Sequence, residues 1–473
     1  MLRRSMFPLR LLFIRKRFIQ QNSTASCLTR GASAFTIASD PGSAAAYVSF
    51  TLSGAGIINN SDLIQNFVVS GVRYENGGYP NTLFFTNSAT AGQFIQLTTY
   101  GADDYYQLGG VITFLDTSTA GSSTINNVGG ASIYYPGVTY FYDSSSAENA
   151  TITNNASTTR AGGSHFYNTS TAGNAIIINN PGPVGVQGGF TGFHDSADAG
   201  NSTIICNAGD EGGNLYFYSD SSGGAARVQV FGNGKMDIGD HNVPGLTIGS
   251  IEGDGNIFLG ANNLTVGSNP LSTTFSGVID GIGGSLTKIG TSTLTLTGEN
   301  TYTGGTTIEG GKLVVNNMSG SGTSSGAVQV NAGTLGGRGT IAGEVIVGNG
   351  TGTRAVLAPG RSEDKAGTLT IQSALTFNSD ATYKCELKTK RVIADKVIAN
   401  GVTISGARVS FVSCGNSALP PGTVFTITDN TAATPIAGTF NNLADGSTFT
   451  ADGNTFQVSY EGGTGNDLTL TVQ

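Results

Sequence analysis

A short unit that begins with phenylalanine recurs through the first half of this 473-residue chain at nearly constant spacing. Most copies carry Asp or Asn two positions after the Phe, Ala-Gly near the seventh and eighth positions, and an aliphatic residue eleven positions after the Phe. The copies start 24–29 residues apart, at Phe85, Phe114, Phe141, Phe166, Phe193 and Phe217. A period of this length, divided into short β-prone pieces by Gly, Asn and Ser, predicts one coil of a parallel β-helix per copy.

Stacking of such coils would create the hydrophobic core, since one coil alone cannot bury its inward side chains. Neighbouring strands lie about 4.8 Å apart, so equivalent residues of successive coils would stand directly above one another. We therefore expect the Phe residues from Phe114 onward to form one internal stack and the aliphatic residues to form a second. The aliphatic residues are Ile125, Ile152, Ile177, Ile204 and Val228.

The Asp or Asn of each copy is expected at a corner between strands. These side chains hydrogen-bond the local backbone and tolerate the left-handed dihedral angles that a corner requires. The predicted corner ladder comprises Asp116, Asp143, Asn168 and Asp195.

Glycine and charge content narrow the fold class further. The chain contains 71 Gly, and only 11% of its residues are charged. Gly destabilises a helix by about 1 kcal/mol per position, which argues against a helical fold. Gly does not recur at every third residue, which excludes collagen. The Leu and Asn scaffold of a leucine-rich repeat is missing, and a propeller blade would need about 40 residues. The predicted fold is therefore all-β: a right-handed parallel β-helix (β-solenoid) of stacked coils with a C-terminal β-rich end or cap.

Residues 1–39 have the basic start of an export signal, but the apolar part that should follow is interrupted. Arg10 and the basic cluster at residues 15–17 leave only residues 11–14 as an unbroken apolar run, whereas a secretory signal needs about 7–15 apolar residues. A degenerate signal-like segment and a misassigned start codon both remain open. No apolar run reaches the length of about 18 residues that a spanning helix needs, so no transmembrane segment is predicted.

The net charge of −8 excludes one class of partner. Basic residues are concentrated in the leader, and the rest of the chain is acidic without basic stripes. Neutralising phosphates would therefore contribute little to binding, and nucleic acid is not expected as a partner.

The four cysteines lie far apart, without the spacing of a metal site. They are Cys27, Cys206, Cys385 and Cys414. We expect them to be mostly small buried hydrophobic residues, and a disulfide between Cys385 and Cys414 stays an open alternative.

From about Gly277 the sequence changes to Thr- and Gly-rich alternation, with apolar residues at period two. Its pattern runs Leu286-Thr287-Lys288, Leu294-Thr295-Leu296, Asn300, Tyr302, Gly304-Gly305-Thr306, Ile308, Gly310-Gly311 and Leu313. This segment closely resembles the autotransporter-associated β-strand repeat, from which Ser292 departs because the family usually has a second Gly there. A more diffuse resemblance to the same proteins extends over roughly residues 277–473.

The resemblance implies a passenger-type parallel β-helix that is extracytoplasmic, at the bacterial cell surface or secreted. It further implies a non-enzymatic structural or adhesive role, with the repeat assisting passenger export and folding. The chain ends at Gln473, directly after a passenger-type tail and without a C-terminal β-barrel translocator, so a separate outer-membrane translocator is an expected partner. Rows of Ser, Thr, Asn and Tyr along a rod would suit weak multivalent contact with glycans or other cell-surface components.

Four segments are predicted from these patterns. Residues 1–39 are the leader, and residues 40–276 are the β-helix of aromatic repeats. Residues 277–317 are the autotransporter-associated β-strand repeat, and residues 318–473 continue the β-solenoid to its C-terminal cap.

The alternative function is a β-helical polysaccharide lyase or glycoside hydrolase, which would need clustered carboxylates and an acid or base. The candidate settings are Asp103-Asp104, Asp195 with Asp198, His165, His194 and Asp240-His241. Because the Asx ladder recurs from copy to copy, it fits a structural corner better than an active site. No catalytic, cofactor-binding or metal-binding residue is therefore predicted. The Gly-rich residues 462–467 are expected to form a turn before the last strand rather than a calcium-binding repeat.

Overall fold

A computed structural model of the chain describes residues 34–37, 49–59, 62–73, 79–102, 107–131, 135–352, 354–360, 366–413, 415 and 417–473. All regular structure in these residues is β, with no helix among them, and the strands pair mainly in parallel between successive coils. The prediction of an all-β parallel solenoid is confirmed. Most of the predicted leader, together with Cys27, Asp103-Asp104 and Cys414, lies outside the described residues.

One face of the solenoid is a ten-stranded parallel sheet, called sheet 1 here. Its strands are Ser49–Leu52, Thr82–Phe85, Val111–Phe114, Val138–Phe141, Gly163–Phe166, Phe190–Phe193, Asn214–Phe217, Lys235–Asp237, Asn256–Phe258 and Val278–Asp280. Each strand after the first is about one repeat further along the chain, so sheet 1 stacks equivalent residues of successive coils.

The opposing strands form a 24-stranded sheet, called sheet 2, that continues through the second half of the chain. Its strands are Ala34–Ile37, Gln65–Val69, Ile95–Tyr100, Thr124–Val128, Thr151–Asn155, Ile176–Asn179, Thr203–Cys206, Gly223–Val230, Gly245–Gly253, Asn263–Val266, Thr273–Phe275, Ser285–Lys288, Thr293–Leu296, Thr306–Ile308, Lys312–Val315, Val328–Val330, Gly333–Gly337, Val345–Val347, Ala355–Pro359, Leu375–Phe377, Ala381–Lys388, Ile393–Ala394, Val402–Ile404 and Arg408–Ser413.

Three smaller sheets complete the part of the chain that the structure describes. Gly56–Ile57 pairs with Thr90–Ala91 in parallel, and Val72–Arg73 pairs with Gln107–Leu108 in antiparallel. A seven-stranded sheet, called sheet 3, ends the chain in antiparallel strands. Its strands are Thr340–Ile341, Thr368–Ile371, Lys396–Ala399, Val424–Asn430, Thr448–Ala451, Asn454–Gly462 and Asp467–Val472. Residues 462–467 form the turn between its last two strands, as predicted.

The core contains both predicted stacks. Consecutive phenylalanine rings from Phe85 to Phe217 lie face to face, with centroids 4.6–5.0 Å apart. The aliphatic row from Ile125 to Val228 is in register across sheet 2. All members of both rows are fully buried. The period of the sequence repeat therefore places one core Phe and one core aliphatic residue in each of these coils.

The Asx corner ladder is also present, with one difference in its bonding. The φ angles of its residues lie at +54° to +59°, in the left-handed region that was predicted. Each side-chain oxygen accepts from the backbone N–H of the equivalent residue in the preceding coil, as Asp143 Oδ2 does from Asp116 N at 3.0 Å and Asn168 Oδ1 from Asp143 N at 3.1 Å. The prediction that these side chains hydrogen-bond the local backbone is therefore wrong, because they bond the backbone of a neighbouring coil. The ladder joins coils because their 4.8 Å spacing brings the next corner within reach of a short side chain.

A second ladder, which the sequence analysis did not find, lies inside the solenoid. Asn127 Nδ2 donates to Asn154 Oδ1 at 2.8 Å, and Asn154 Nδ2 donates to Asn179 Oδ1 at 2.8 Å. All three side chains are fully buried. Thr139 and Thr191 donate further hydrogen bonds across the core to Asn127 and Asn179. The amides are thus paired as buried polar groups require.

The Thr- and Gly-rich segment from residue 277 packs its characteristic residues inward. Tyr302 is fully buried, with its hydroxyl 2.6 Å from Thr306 Oγ1. Asn300 ties three coils together, because its Oδ1 accepts from Ile279 N at 2.8 Å and its Nδ2 donates to Gly322 O at 2.6 Å. Lys288 is buried and donates to Ile289 O at 2.5 Å, and burial lowers its pKa to about 8. The side chains that distinguish this segment therefore hold the coil together.

The strand Ala381–Lys388 and the following hairpin enclose a cluster of polar groups around Asp395. Asp395 accepts from Gly367 N at 2.9 Å and from Glu386 N at 3.0 Å. Lys388 Nζ lies 3.7 Å from Glu386 Oε2. Burial is the largest influence on the carboxyl of Asp395 and raises its pKa to about 7. Cys385 is buried beside the cluster, as expected, and Cys206 is buried in sheet 2.

The raised pKa of Asp395 predicts that the C-terminal coils lose stability as the pH rises. The folded state holds this proton more tightly than the unfolded chain, in which the pKa is 3.8. The stabilising contribution is therefore complete below about pH 4 and is lost as the pH rises through about 7. Urea unfolding followed by circular dichroism should show a larger fall in midpoint from pH 5 to pH 8 for the wild type than for Asp395→Asn. Equal falls in both proteins would contradict this assignment.

Candidate functional site

The outer face of sheet 1 carries two rows of stacked aromatic side chains. In the first row, Tyr140 and His165 stack with centroids 5.4 Å apart. In the second row, Tyr142, Tyr167, His194 and Tyr218 stack with consecutive centroids 5.0, 4.3 and 4.7 Å apart. The side chains in both rows are half-buried. The rows arise because alternate residues of a strand point to opposite faces, so the residues on either side of each core Phe point outward.

A groove of about 710 Å3 lies along the N-terminal half of this face. Its floor is the outer surface of sheet 1, and one wall is formed by the loops that lead into the strands. The floor residues are Thr82, Phe84, Val111, Thr113, Leu115, Val138, Tyr140, Tyr142, His165 and Phe190, and the wall residues are Tyr79, Pro80, Leu108, Gly109, Tyr135, Pro136 and Arg160. The groove extends from the coil of Ser49 to that of Phe190, and strand spacing of about 4.8 Å makes this roughly 24 Å along the axis.

The aromatic floor carries no charge near neutral pH. Burial, and then Tyr142 and Tyr167, raise the pKa of Tyr140 to about 12. Burial, and then His194, lower the pKa of His165 to about 3, and burial also lowers the pKa of His194. His165 Nδ1 lies 3.0 Å from His194 Nε2, so one neutral imidazole donates to the other. The floor therefore offers neutral rings and hydroxyl groups.

Gly192 leaves the space for this imidazole pair. A Cβ at Gly192 would lie 2.8 Å from His194 Nε2 and 3.2 Å from His165 Nδ1. Any larger residue would therefore push the two rings apart.

Among the described residues, the candidate carboxylates Asp195, Asp198 and Asp240 do not line the groove. The Oδ2 atom of Asp195 accepts from Asn168 N at 3.0 Å in the corner ladder. Asp198 forms isolated parallel β-bridges through its backbone with Thr171 of the preceding coil and Ser222 of the following coil. His241 has its Nδ1 2.7 Å from Asn242 O and its Nε2 2.7 Å from Ser221 O. Of the candidates that lie in the described residues, His165 lines the groove and His194 adjoins it.

Sequence reasoning found the repeat but not the groove. One signal was available: a Tyr-Pro pair occurs at residues 79–80 and again at residues 135–136, each shortly before a strand of sheet 1. Equivalent positions of two coils thus carry a tyrosine followed by a proline, and both pairs lie in the wall of the groove. The groove itself depends on loop conformation, which short-range patterns do not specify.

The residues that the structure describes carry neither a candidate metal site nor a candidate membrane-spanning helix. They contain no group of three or more His, Cys, Asp or Glu side chains placed to hold a metal ion. No helix in the described part of the chain could cross a membrane.

Comparison with known proteins matches one part of the chain to a family. Residues 286–315 match the family described as Passenger-associated-transport-repeat. The adhesin BmaC autotransporter of Brucella suis biovar 1 (strain 1330) is 41% identical over 93 residues, which are 20% of this chain and 3% of that protein. The crystal structure of the Haemophilus influenzae Hap adhesin aligns with 95% of this chain and 63% of its own, at 10% identity and a TM-score of 0.25. The chain thus spans a small part of the adhesin it matches in sequence.

The matched residues are those that the structure places inside a coil. Leu286, Leu294 and Leu313 fill the core, while Asn300 and Tyr302 bind neighbouring residues through buried hydrogen bonds. The family match and the buried side chains thus fall in the same segment. Stacked parallel coils extend on both sides of it. The chain is therefore a parallel β-solenoid in which residues 286–315 match the passenger-associated transport repeat.

Proposed function

We propose that this chain is a non-enzymatic adhesive β-solenoid, at the bacterial cell surface or secreted, and that its aromatic groove contacts glycans. The groove is the observation that carries the proposal. The transport repeat and the similarity to an autotransporter adhesin support an extracytoplasmic location. The proposal includes a partner, a separate outer-membrane translocator through which the chain is exported.

The composition of the groove suits a sugar ring. A pyranose has an apolar face and a rim of hydroxyl groups, and aromatic side chains with polar tips match both. Tyr140 and Tyr142 present half-buried rings side by side, with centroids 5.8 Å apart. The length of the groove would accommodate several linked rings, so modest contacts add along one chain. Repeated modest contacts are what adhesion to a polymer requires.

The absence of an enzymatic role is part of the proposal. Hydrolysis of a glycoside canonically needs two carboxyl groups flanking the scissile bond. None of the described residues that line the groove is Asp or Glu. The groove is therefore suited to retention of a glycan rather than to its cleavage.

Loss of one floor ring should weaken glycan binding. We expect Tyr140→Ala to reduce affinity about tenfold, which corresponds to about 1.4 kcal/mol. The measurement is affinity electrophoresis or calorimetry of the full chain against a panel of neutral and acidic polysaccharides. The same panel, assayed for chain shortening, tests the enzymatic alternative.

Phe258→Ala is the matched control. Phe258 stands in the same outward row of sheet 1 as Tyr140 and is 37% exposed, but it lies beyond the groove. Its replacement should leave affinity unchanged. Equal loss in both variants, or no binding of any glycan by the wild type, would refute the groove as the contact surface. Robust depolymerisation would refute the non-enzymatic role.

A further inference from the structure

We propose that the groove selects carboxylated saccharides, and that Arg160 is the residue that selects them. This inference rests on the proposed glycan contact and names the class of glycan. The observation behind it does not depend on the aromatic rings. Among the described residues that line the groove, Arg160 is the one with a charged side chain, and it lies in the wall.

Arg160 is held in place by its backbone. It ends a tight loop in which Ser157 N donates to Arg160 O at 3.1 Å and Gly162 N donates to Asn155 O at 2.8 Å. Arg160 N donates to Gly130 O of the preceding coil at 3.2 Å. The neighbouring Gly129 lets the loop approach, since a Cβ there would collide with Arg160 O. The side chain thus projects from a fixed point of the wall.

The guanidinium has no anionic partner among the described residues. The ion pairs found in them involve other cations, and no described Asp or Glu lines the groove. Arg160 is also exposed. An arginine in this setting can bind an incoming carboxylate with two parallel hydrogen bonds.

The surroundings strengthen this contact and make it selective. His165 and Tyr140 are uncharged near neutral pH, so neither competes for an anion nor repels one. The half-apolar floor reduces the screening that weakens ion pairs in open water. The chain as a whole carries a net charge of −8. An acidic polymer is therefore repelled by the rest of the rod and held where a cation and stacking rings coincide.

A carboxylated sugar meets both requirements in one unit. Its ring face can lie on Tyr140 or Tyr142 while its carboxylate reaches the wall. A neutral sugar has only the ring contact, so the affinity difference between the two measures the contribution of Arg160.

The test compares matched pairs of polysaccharides that differ only in charge. Polygalacturonate, alginate, hyaluronan and polysialic acid are each measured beside their carboxyl-reduced forms, with calorimetry of the full chain at low and high salt. We expect at least one acidic form to bind about tenfold more tightly than its reduced form, with the difference shrinking in high salt. Arg160→Gln should abolish the difference while leaving the affinity for the reduced form unchanged, and Arg160→Lys should restore part of it.

Arg227→Gln is the control, because Arg227 pairs with Glu252 on sheet 2 at 2.6 Å and does not line the groove. A preference for acidic forms that survives in Arg160→Gln would overturn the inference. Equal binding of acidic and reduced forms that is lost in Tyr140→Ala would overturn the inference but leave the glycan contact standing. Binding of neither form would overturn both.

Discussion

Replacing Phe166 by Ala should lower the free energy of unfolding by about 3–5 kcal/mol. Phe166 stands in the middle of the internal aromatic stack, with its ring centroid 4.6 Å from that of Phe141 and 4.8 Å from that of Phe193. Truncation removes a fully buried side chain and leaves a cavity between two rings. The rings cannot close it, because the hydrogen-bonded strands of sheet 1 hold their spacing.

Tyr167→Ala provides a matched control one residue away. Tyr167 points outward and stacks on His194 with centroids 4.3 Å apart, but its ring is half-exposed. Its loss should cost about 1 kcal/mol, because a half-exposed ring gives up its stacking contacts without leaving an enclosed cavity. Urea unfolding of both variants, followed by circular dichroism, compares the two costs. Equal losses would mean that the internal stack is not the main source of stability in these coils.

Hydrogen exchange should show where the Phe166→Ala chain loosens. Each coil of a solenoid contacts only its neighbours, so stability is a sum of coil and interface contributions. Protection should therefore fall first in Val138–Phe141 and Phe190–Phe193, which flank the cavity. Uniform loss of protection over the whole chain would contradict this local coupling.

The sequence specified the apolar core of the solenoid because the repeat itself encodes it. A side chain that must stack on its counterpart recurs at the coil period, which is why Phe141 and Ile152 could be assigned to internal rows. The corner ladder was predictable for the same reason, since Asp143 needs a particular backbone conformation. The hydrogen bond that its side chain accepts from the preceding coil was not predicted, because a repeat shows which residues are equivalent but not which atoms meet.

The internal Asn ladder and the groove could not be predicted for different reasons. Asn154 and Asn155 are adjacent and identical, and only the strand register shows that the first is buried and the second faces outward. The groove combines floor residues from the repeat, such as Tyr140, with wall residues from loops of variable length, such as Arg160. Loop length varies between coils, so no period marks the wall.

Replacing Asn154 by Leu should destabilise the chain by about 3 kcal/mol, although the new side chain is apolar and of similar size. Asn154 accepts from Asn127 Nδ2 at 2.8 Å and donates to Asn179 Oδ1 at 2.8 Å and to Ser164 Oγ at 3.0 Å. Leucine leaves the amide of Asn127 without its acceptor in the core. An unsatisfied buried polar group costs about 1–3 kcal/mol, and more than one group is affected.

The neighbouring Asn155 separates this effect from any general intolerance of leucine. Asn155 accepts from Asn180 Nδ2 at 2.8 Å, but it is half-exposed, so water can replace the lost bond in Asn155→Leu. That variant should lose about 1 kcal/mol or less. A double-mutant cycle of Asn127→Leu with Asn154→Leu then measures the coupling, which should reach about 1–3 kcal/mol because the second substitution removes the group that the first left unpaired. Additive losses would show that the buried amides act independently, and the ladder would then be a consequence of stacking rather than a contributor to it.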